Sequence, residues 1–179
     1  MDRRTALKSL AITVWGMMVL PGCNPDEIQE TELLYKSLPL DETQRNNLRL
    51  MVDTFLPETD SKGGVELSVH EFVNKLLANC YEEEIQKSFL DGLNILENKS
   101  QELAQVSFDK NSSSQREAIL MQMDDEEKIE EKAFFDLSKE LVILGYTSSE
   151  YFLTNFTNYE MIPGGYDGCV PVPNQPYKI

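Results

Sequence analysis

The chain has 179 residues, of which 41% are hydrophobic and 26% charged, enough to bury one core without a metal or a disulfide framework. Its 31 acidic residues against 16 basic ones give a net charge of −15, a field that disfavours nucleic acid and other polyanions. One histidine and three cysteines form none of the common zinc-site clusters, and neither a phosphate-cradling glycine loop nor a dinucleotide fingerprint occurs.

Residues 1–22 read as an export signal. Arg3 and Arg4 precede an apolar run from Leu10 to Leu20 with only Thr13 polar inside it. Such a run is too short to cross a bilayer as a helix, which takes about 20 residues. A basic start and a short apolar stretch instead make a signal peptide, and the paired arginines point to the twin-arginine route for folded cargo. The run ends in Leu20-Pro21-Gly22-Cys23, which resembles a lipobox and makes Cys23 the candidate for diacylglyceryl attachment. Two acyl chains would hold the protein firmly at a membrane. An ordinary cleaved signal and an uncleaved anchor are the alternatives. Cleavage before Cys23 removes Arg3, Arg4, Lys8 and Asp2, three bases and one acid, so −15 becomes −17. A surface this acidic resists anionic lipid, which leaves membrane attachment to the lipid. Outside the cytoplasm thiols are often oxidised. For Cys80 and Cys169 the sequence leaves open one internal disulfide, two unpaired thiols, or a bridge from Cys169 to a partner chain.

Residues 23–40 read as a tether bracketed by Pro25 and Pro39 and acidic near its start. Residues 41–179 read as a single helical domain. Asp41 with Gln44 three residues on predicts a capping box, followed by an apolar face of Leu48, Met51, Val52 and Phe55 and a stop at Pro57. The loop from Glu58 to Gly64 has acids and hydroxyls but not the alternating ligands of a calcium loop. Ser68 and Glu71 predict a second capping box, for a helix with Val69, Phe72, Val73, Leu76 and Leu77 on one face. His70 lies one step off that face. Without a serine or cysteine nucleophile motif nearby, it reads as a capping or surface residue.

A long helical stretch is expected over Tyr81–Val106, with Ile85, Phe89, Leu93, Leu96, Leu103 and Val106 along one side. Gly92 inside it costs ~1 kcal/mol against alanine. Glu82, Glu83 and Glu84 suit a solvated first turn, where acids favour the helix dipole. After a polar break, Ser114 with Glu117 predicts another capped helix carrying Ile119, Leu120 and Met123. Phe134, Leu137, Leu141 and Leu144 predict the next helix, ended by Gly145, and Thr147 with Glu150 predicts a last one carrying Tyr151, Phe152 and Phe156. No segment alternates as a strand does. The expected architecture is all-α, a compact single-domain bundle. Its tail, residues 163–179, holds four prolines and three glycines and therefore is not helical.

Several of these segments resemble the small subunit, called subunit 3 or gamma, of membrane-bound gluconate 2-dehydrogenase and related sugar dehydrogenases. They are the Arg3-Arg4 signal, Met51-Val52-Asp53-Thr54-Phe55-Leu56-Pro57-Glu58-Thr59-Asp60, and Val69-His70-Glu71-Phe72-Val73. Later come Ala133-Phe134-Phe135, Gly145-Tyr146-Thr147-Ser148-Ser149-Glu150, and Tyr159-Glu160-Met161-Ile162-Pro163-Gly164 with Tyr166 and Gly168-Cys169. The resemblance implies that catalysis belongs to another chain, a flavoprotein of the glucose–methanol–choline type that oxidises a sugar or sugar acid on FAD. A cytochrome c subunit with its haem often carries the electrons onward. The small subunit itself binds no cofactor. It supplies the twin-arginine signal and helps the flavoprotein mature and cross to the periplasmic side through the twin-arginine translocase. The lipobox at Cys23 is not general to the family. Tyr146, Tyr159, Pro163, Gly164 and Tyr166, together with Cys169, are the expected partner-facing residues, because tyrosine-rich extended segments suit interfaces. A stand-alone envelope lipoprotein, acting as a binding or structural module, is the alternative.

Overall fold

A computed structural model describes residues 36–157, 159–162, 164 and 169. Arg3, Arg4, Cys23, Pro163 and Tyr166 lie outside the described residues, as do most of the expected tether and tail. The described residues form six α-helices and one 3-10 turn, with no strand among them, so the all-α expectation holds.

Helix α1 spans Glu42–Phe55. Its start is the expected capping box: the Asp41 carboxylate accepts from the Gln44 backbone N–H at 2.7 Å, and the Gln44 side chain accepts from the Asp41 N–H at 3.1 Å. Such a cap contributes about 1 kcal/mol. Leu48, Met51 and Val52 are fully buried, each worth about 1.5–3 kcal/mol of apolar burial. The helix stops one residue short of the Leu56-Pro57 step, as the restriction on residues before proline demands.

Helix α2 spans Val69–Cys80 and buries Val69, Val73 and Leu77. Ser68 precedes it, but the expected capping box does not form. The backbone of Ser68 is left-handed (φ 55°, ψ 30°) and its side chain makes no capping bond, whereas a capping side chain reaches its amide from an extended backbone. The cause is upstream. Gly64–Ser68 is already wound into turns, with the Ser68 N–H donating to the Val65 carbonyl at 3.0 Å and the Val69 N–H to the Gly64 carbonyl at 2.9 Å.

Helix α3 spans Glu83–Ala104, with Phe89, Gly92, Leu93, Leu96, Lys99 and Ser100 buried. Its expected apolar stripe is too long at both ends: Ile85, Leu103 and Val106 are exposed. Neighbouring elements cover only the middle turns. A 3-10 turn over Phe108–Lys110 buries Phe108. Helix α4 spans Ser113–Met121 and is capped by Ser112 with Gln115, two residues before the expected Ser114–Glu117 pair. Ser112 has the extended backbone a cap requires; Ser114 is already helical.

Helix α5 spans Ile129–Thr147. Phe134 and Leu141 are buried as expected, but Leu144 is exposed, and Phe135, Ser138, Val142 and Gly145 complete the inward face. Gly145 does not end the helix. It sits inside it, pressed on α2, where an added Cβ would lie 2.8 Å from Phe72 Cδ1 and 3.0 Å from Val69 Cγ1. Helix α6 spans Glu150–Phe156 and is capped by Ser149, whose hydroxyl accepts from the Phe152 N–H at 3.2 Å. Thr147 instead donates to the Ile143 carbonyl at 2.9 Å, a bond made inside a helix rather than at its start.

Helix α1 packs against α2, α3, α4 and α5, and α5 closes over α2 and α3. Gly92 allows the closest approach: a Cβ there would lie 2.1 Å from Phe134 Cδ2. Polar ties cross this core. Arg116 on α4 donates to the Asp53 carboxylate at 2.9 Å, to Thr54 Oγ1 at 3.1 Å and to the Asn111 carbonyl at 3.2 Å. The buried Lys99 ammonium is paired with Glu131, joining α3 to α5. The chain also enters the core earlier than the tether reading implies. Leu38 and Leu40 are buried, and Asn74 and Asn79 of α2 hold the backbone of Leu38 and Lys36 at 2.9 Å and 3.1 Å.

Candidate functional site

Two surface features stand apart. The first is a polar cleft of about 980 Å³ between the Ser37–Leu40 segment, α1 and α2. Arg45, Arg49 and Lys75 line it and none is in an ion pair among the described residues, but Glu42, Glu71 and Asp109 line it too and balance the charge. His70, expected to be a capping or surface residue, is half-buried in the wall of this cleft, and its Nδ1 is buried without a partner. Burial pushes its pKa below 6.5, against the raising effect of Glu71 and with the lowering effect of Arg49. Among the described residues nothing hydrogen-bonds His70 to a serine or cysteine, so the pairing that activates a nucleophile is not assembled there.

Beside the cleft, buried Asn47 donates to Glu97 Oε2 at 2.9 Å, and the Phe108 N–H donates to the same oxygen at 3.2 Å. Burial pushes the Glu97 pKa up, but hydrogen bonds from Asn47, Ser107, Phe108 and Gln101 outweigh it and leave the carboxyl below its ordinary range. Glu97 thus ties α1, α3 and the 3-10 turn together. No group of three or more histidine, cysteine, aspartate or glutamate side chains among the described residues is placed to hold a metal ion.

The second feature is apolar and lies where α5 ends and α6 begins. The rings of Tyr146 and Phe152 meet edge-on at 5.8 Å, Phe152 stacks on Phe156 at 5.4 Å, and Tyr151 meets Phe156 at 5.8 Å. The Lys62 ammonium lies 5.7 Å over the Tyr151 ring, joining α6 to the loop after α1. None of the α6 side chains is fully buried. Ile143, Leu144 and Phe156 are exposed, and so are Tyr159, Met161 and Ile162 beyond the helix.

Of the residues expected to face a partner, Tyr146 is half-buried in the aromatic cluster, while Tyr159 and Gly164 are exposed. Cys80 is exposed at the end of α2, and Cys169 is exposed as well. Residue reading passed over Ile143 and placed Leu144 in the core. One signal could have found both: Val142-Ile143-Leu144 is an unbroken apolar run in a helix, and three consecutive helical residues cannot all face one core.

Fold and surface together define an all-α bundle whose described residues leave apolar side chains exposed on the last turns of α5, on α6 and just after it. The chain belongs to the gluconate 2-dehydrogenase subunit 3 family, whose sequence model matches residues 42–164. That match takes in all six helices and the exposed Tyr159–Ile162 segment. No curated protein and no solved structure matches the chain. No helix among the described residues is long and apolar enough to cross a membrane.

Proposed function

We propose that this protein is the non-catalytic small subunit of a membrane-associated, FAD-dependent sugar or sugar-acid dehydrogenase complex. The family match over residues 42–164 carries this reading. In it, a glucose–methanol–choline-type flavoprotein holds FAD and performs the oxidation, and a cytochrome c subunit passes electrons onward. This chain binds the flavoprotein, supports its maturation and takes it through the twin-arginine translocase by means of Arg3 and Arg4. Cys23 then anchors the complex on the periplasmic side through its lipid. The absence of a flavin fingerprint and of a haem-attachment motif from the sequence agrees with cofactors residing in partner chains.

The test is a mild-detergent pull-down of the C-terminally tagged protein from its native membranes, with an absorbance scan of the eluate. A multi-domain flavoprotein with a flavin spectrum is expected. A colourless eluate without that chain refutes the reading and favours a stand-alone envelope lipoprotein. Two variants test the export and anchoring steps separately. Replacing Arg3 and Arg4 together by lysine should leave both chains in the cytoplasm. Cys23→Ala should abolish incorporation of labelled fatty acid.

A further inference from the structure

Among the described residues, six of the eleven large exposed apolar side chains lie in the last turns of α5, in α6 or just after it. Ile143 and Leu144 on α5, Phe156 on α6, and Tyr159, Met161 and Ile162 just after it are all exposed, the last two at 83% and 84%. The tilt of α5 fixes the first pair outward, because Gly145 takes the inward position against Phe72 and Val69. The Tyr146–Phe152–Phe156 cluster holds Phe156 of the second group, and the Tyr159 N–H donates to Thr157 Oγ1 at 3.2 Å. Three acids border these residues: Glu140 one turn before Leu144, Glu150 at the start of α6, and Glu160 between the apolar residues of the last segment. All three are exposed, and none is in an ion pair among the described residues. Lys139, the neighbouring cation on α5, lies 5.7 Å over the ring of Phe135 and keeps its charge, so three acids and one base leave the rim net acidic.

An apolar centre with a charged rim is the anatomy of a protein interface, and a net acidic rim selects a basic one opposite. We propose that this α5–α6 end is the docking surface for the flavoprotein subunit, and that the flavoprotein meets it with an apolar patch rimmed by lysine and arginine. The inference rests on the accessory-subunit reading and adds to it the surface and the chemistry of the partner. It places the contact on the folded domain and on Tyr159–Ile162 rather than on the proline-rich tail alone, and it leaves the polar cleft free.

The test uses the full chain, tagged and coexpressed with the flavoprotein gene of its own complex. Leu144→Glu and the double variant Met161→Glu with Ile162→Glu should each lower recovered flavin at least tenfold. Reversing Glu140, Glu150 and Glu160 together to lysine should lower recovery several-fold, with the loss shrinking as salt screens the new repulsion. Leu103→Glu, an exposed apolar position on α3, should change nothing. Met161 and Ile162 lie outside any helix, so their variant decides the matter even if Leu144→Glu misfolds. Undiminished recovery by that double variant and by the charge reversal overturns the docking surface while leaving the accessory-subunit reading intact. Failure of the unaltered protein to recover any flavoprotein overturns both.

Discussion

Gly92 offers the sharpest test of the packing. It lies in the middle of α3, where glycine is disfavoured against alanine by about 1 kcal/mol, so a change to alanine ought to stabilise an ordinary helix. Here the added Cβ would stand 2.1 Å from Phe134 Cδ2, 2.4 Å from its Cγ and 2.9 Å from its Cβ. The clash reaches the root of the side chain, so a small ring rotation does not relieve it. The ring is also in contact with Phe89, one turn earlier on α3, at 5.2 Å between centroids. Overpacking of this kind costs about 3 kcal/mol, which leaves Gly92→Ala destabilising by about 2 kcal/mol after the propensity gain. Thermal unfolding followed by circular dichroism should show a melting point lower by about 6 °C. In a Phe134→Ala background the ring contacts are gone and only the 2.9 Å approach to Cβ remains, so Gly92→Ala should cost far less than about 2 kcal/mol. A Gly92→Ala protein at least as stable as the parent, or an undiminished cost in that background, refutes the close approach of α3 and α5.

Three further outcomes follow from the polar ties and the caps. Glu131→Ala strands the buried Lys99 ammonium and should cost about 3 kcal/mol, whereas Lys99→Met should cost less, because Glu131 keeps Lys128 at 3.6 Å; urea titrations separate the two. Because burial lowers the His70 pKa below 6.5, the unfolded chain binds the proton more readily. Its stabilising effect is therefore present above about pH 6.5 and is lost as pH falls through the folded value. His70→Asn should flatten the melting-point slope in that window and leave the lower, carboxylate-driven slope unchanged. Asp41→Ala should cost about 1 kcal/mol through the lost capping box. Ser68→Ala should cost almost nothing, and Ser68→Gly, at a left-handed position, should gain about 0.5 kcal/mol; equal losses for Asp41→Ala and Ser68→Ala would contradict the two geometries.

Much of the fold was legible because helix signals are local. The Asp41–Gln44 box, the buried trio of Leu48, Met51 and Val52, and the exposed Glu82–Glu84 start are all where periodicity and capping chemistry put them. The errors cluster at starts where several capping residues stand close together. Serine runs offer two or three chemically equal caps, and the choice among Ser112, Ser113 and Ser114, or between Thr147 and Ser149, is made by which backbone is still extended. Ser68 shows the same limit: its sequence fits a box, but turns imposed by Gly63 and Gly64 had already set its backbone. Arg116 and Lys99 left no local trace, because their partners Asp53 and Glu131 lie 63 and 32 residues away.

The candidate site was legible only where composition departs from a helix. Tyr159 stands out in an extended, tyrosine-bearing stretch, and it is exposed. Ile143 and Leu144 do not, since an apolar residue in a helix reads as core until the helix's rotation is known. That rotation is set by Gly145, which alone is small enough to let α5 lie on Phe72 of α2. With Gly145 turned inward, the two residues before it are left exposed. Each Å² of apolar surface left in water forgoes about 25 cal/mol that association can recover. The glycine that completes the monomer's core is therefore also what leaves free energy at the α5–α6 end for a second chain to collect.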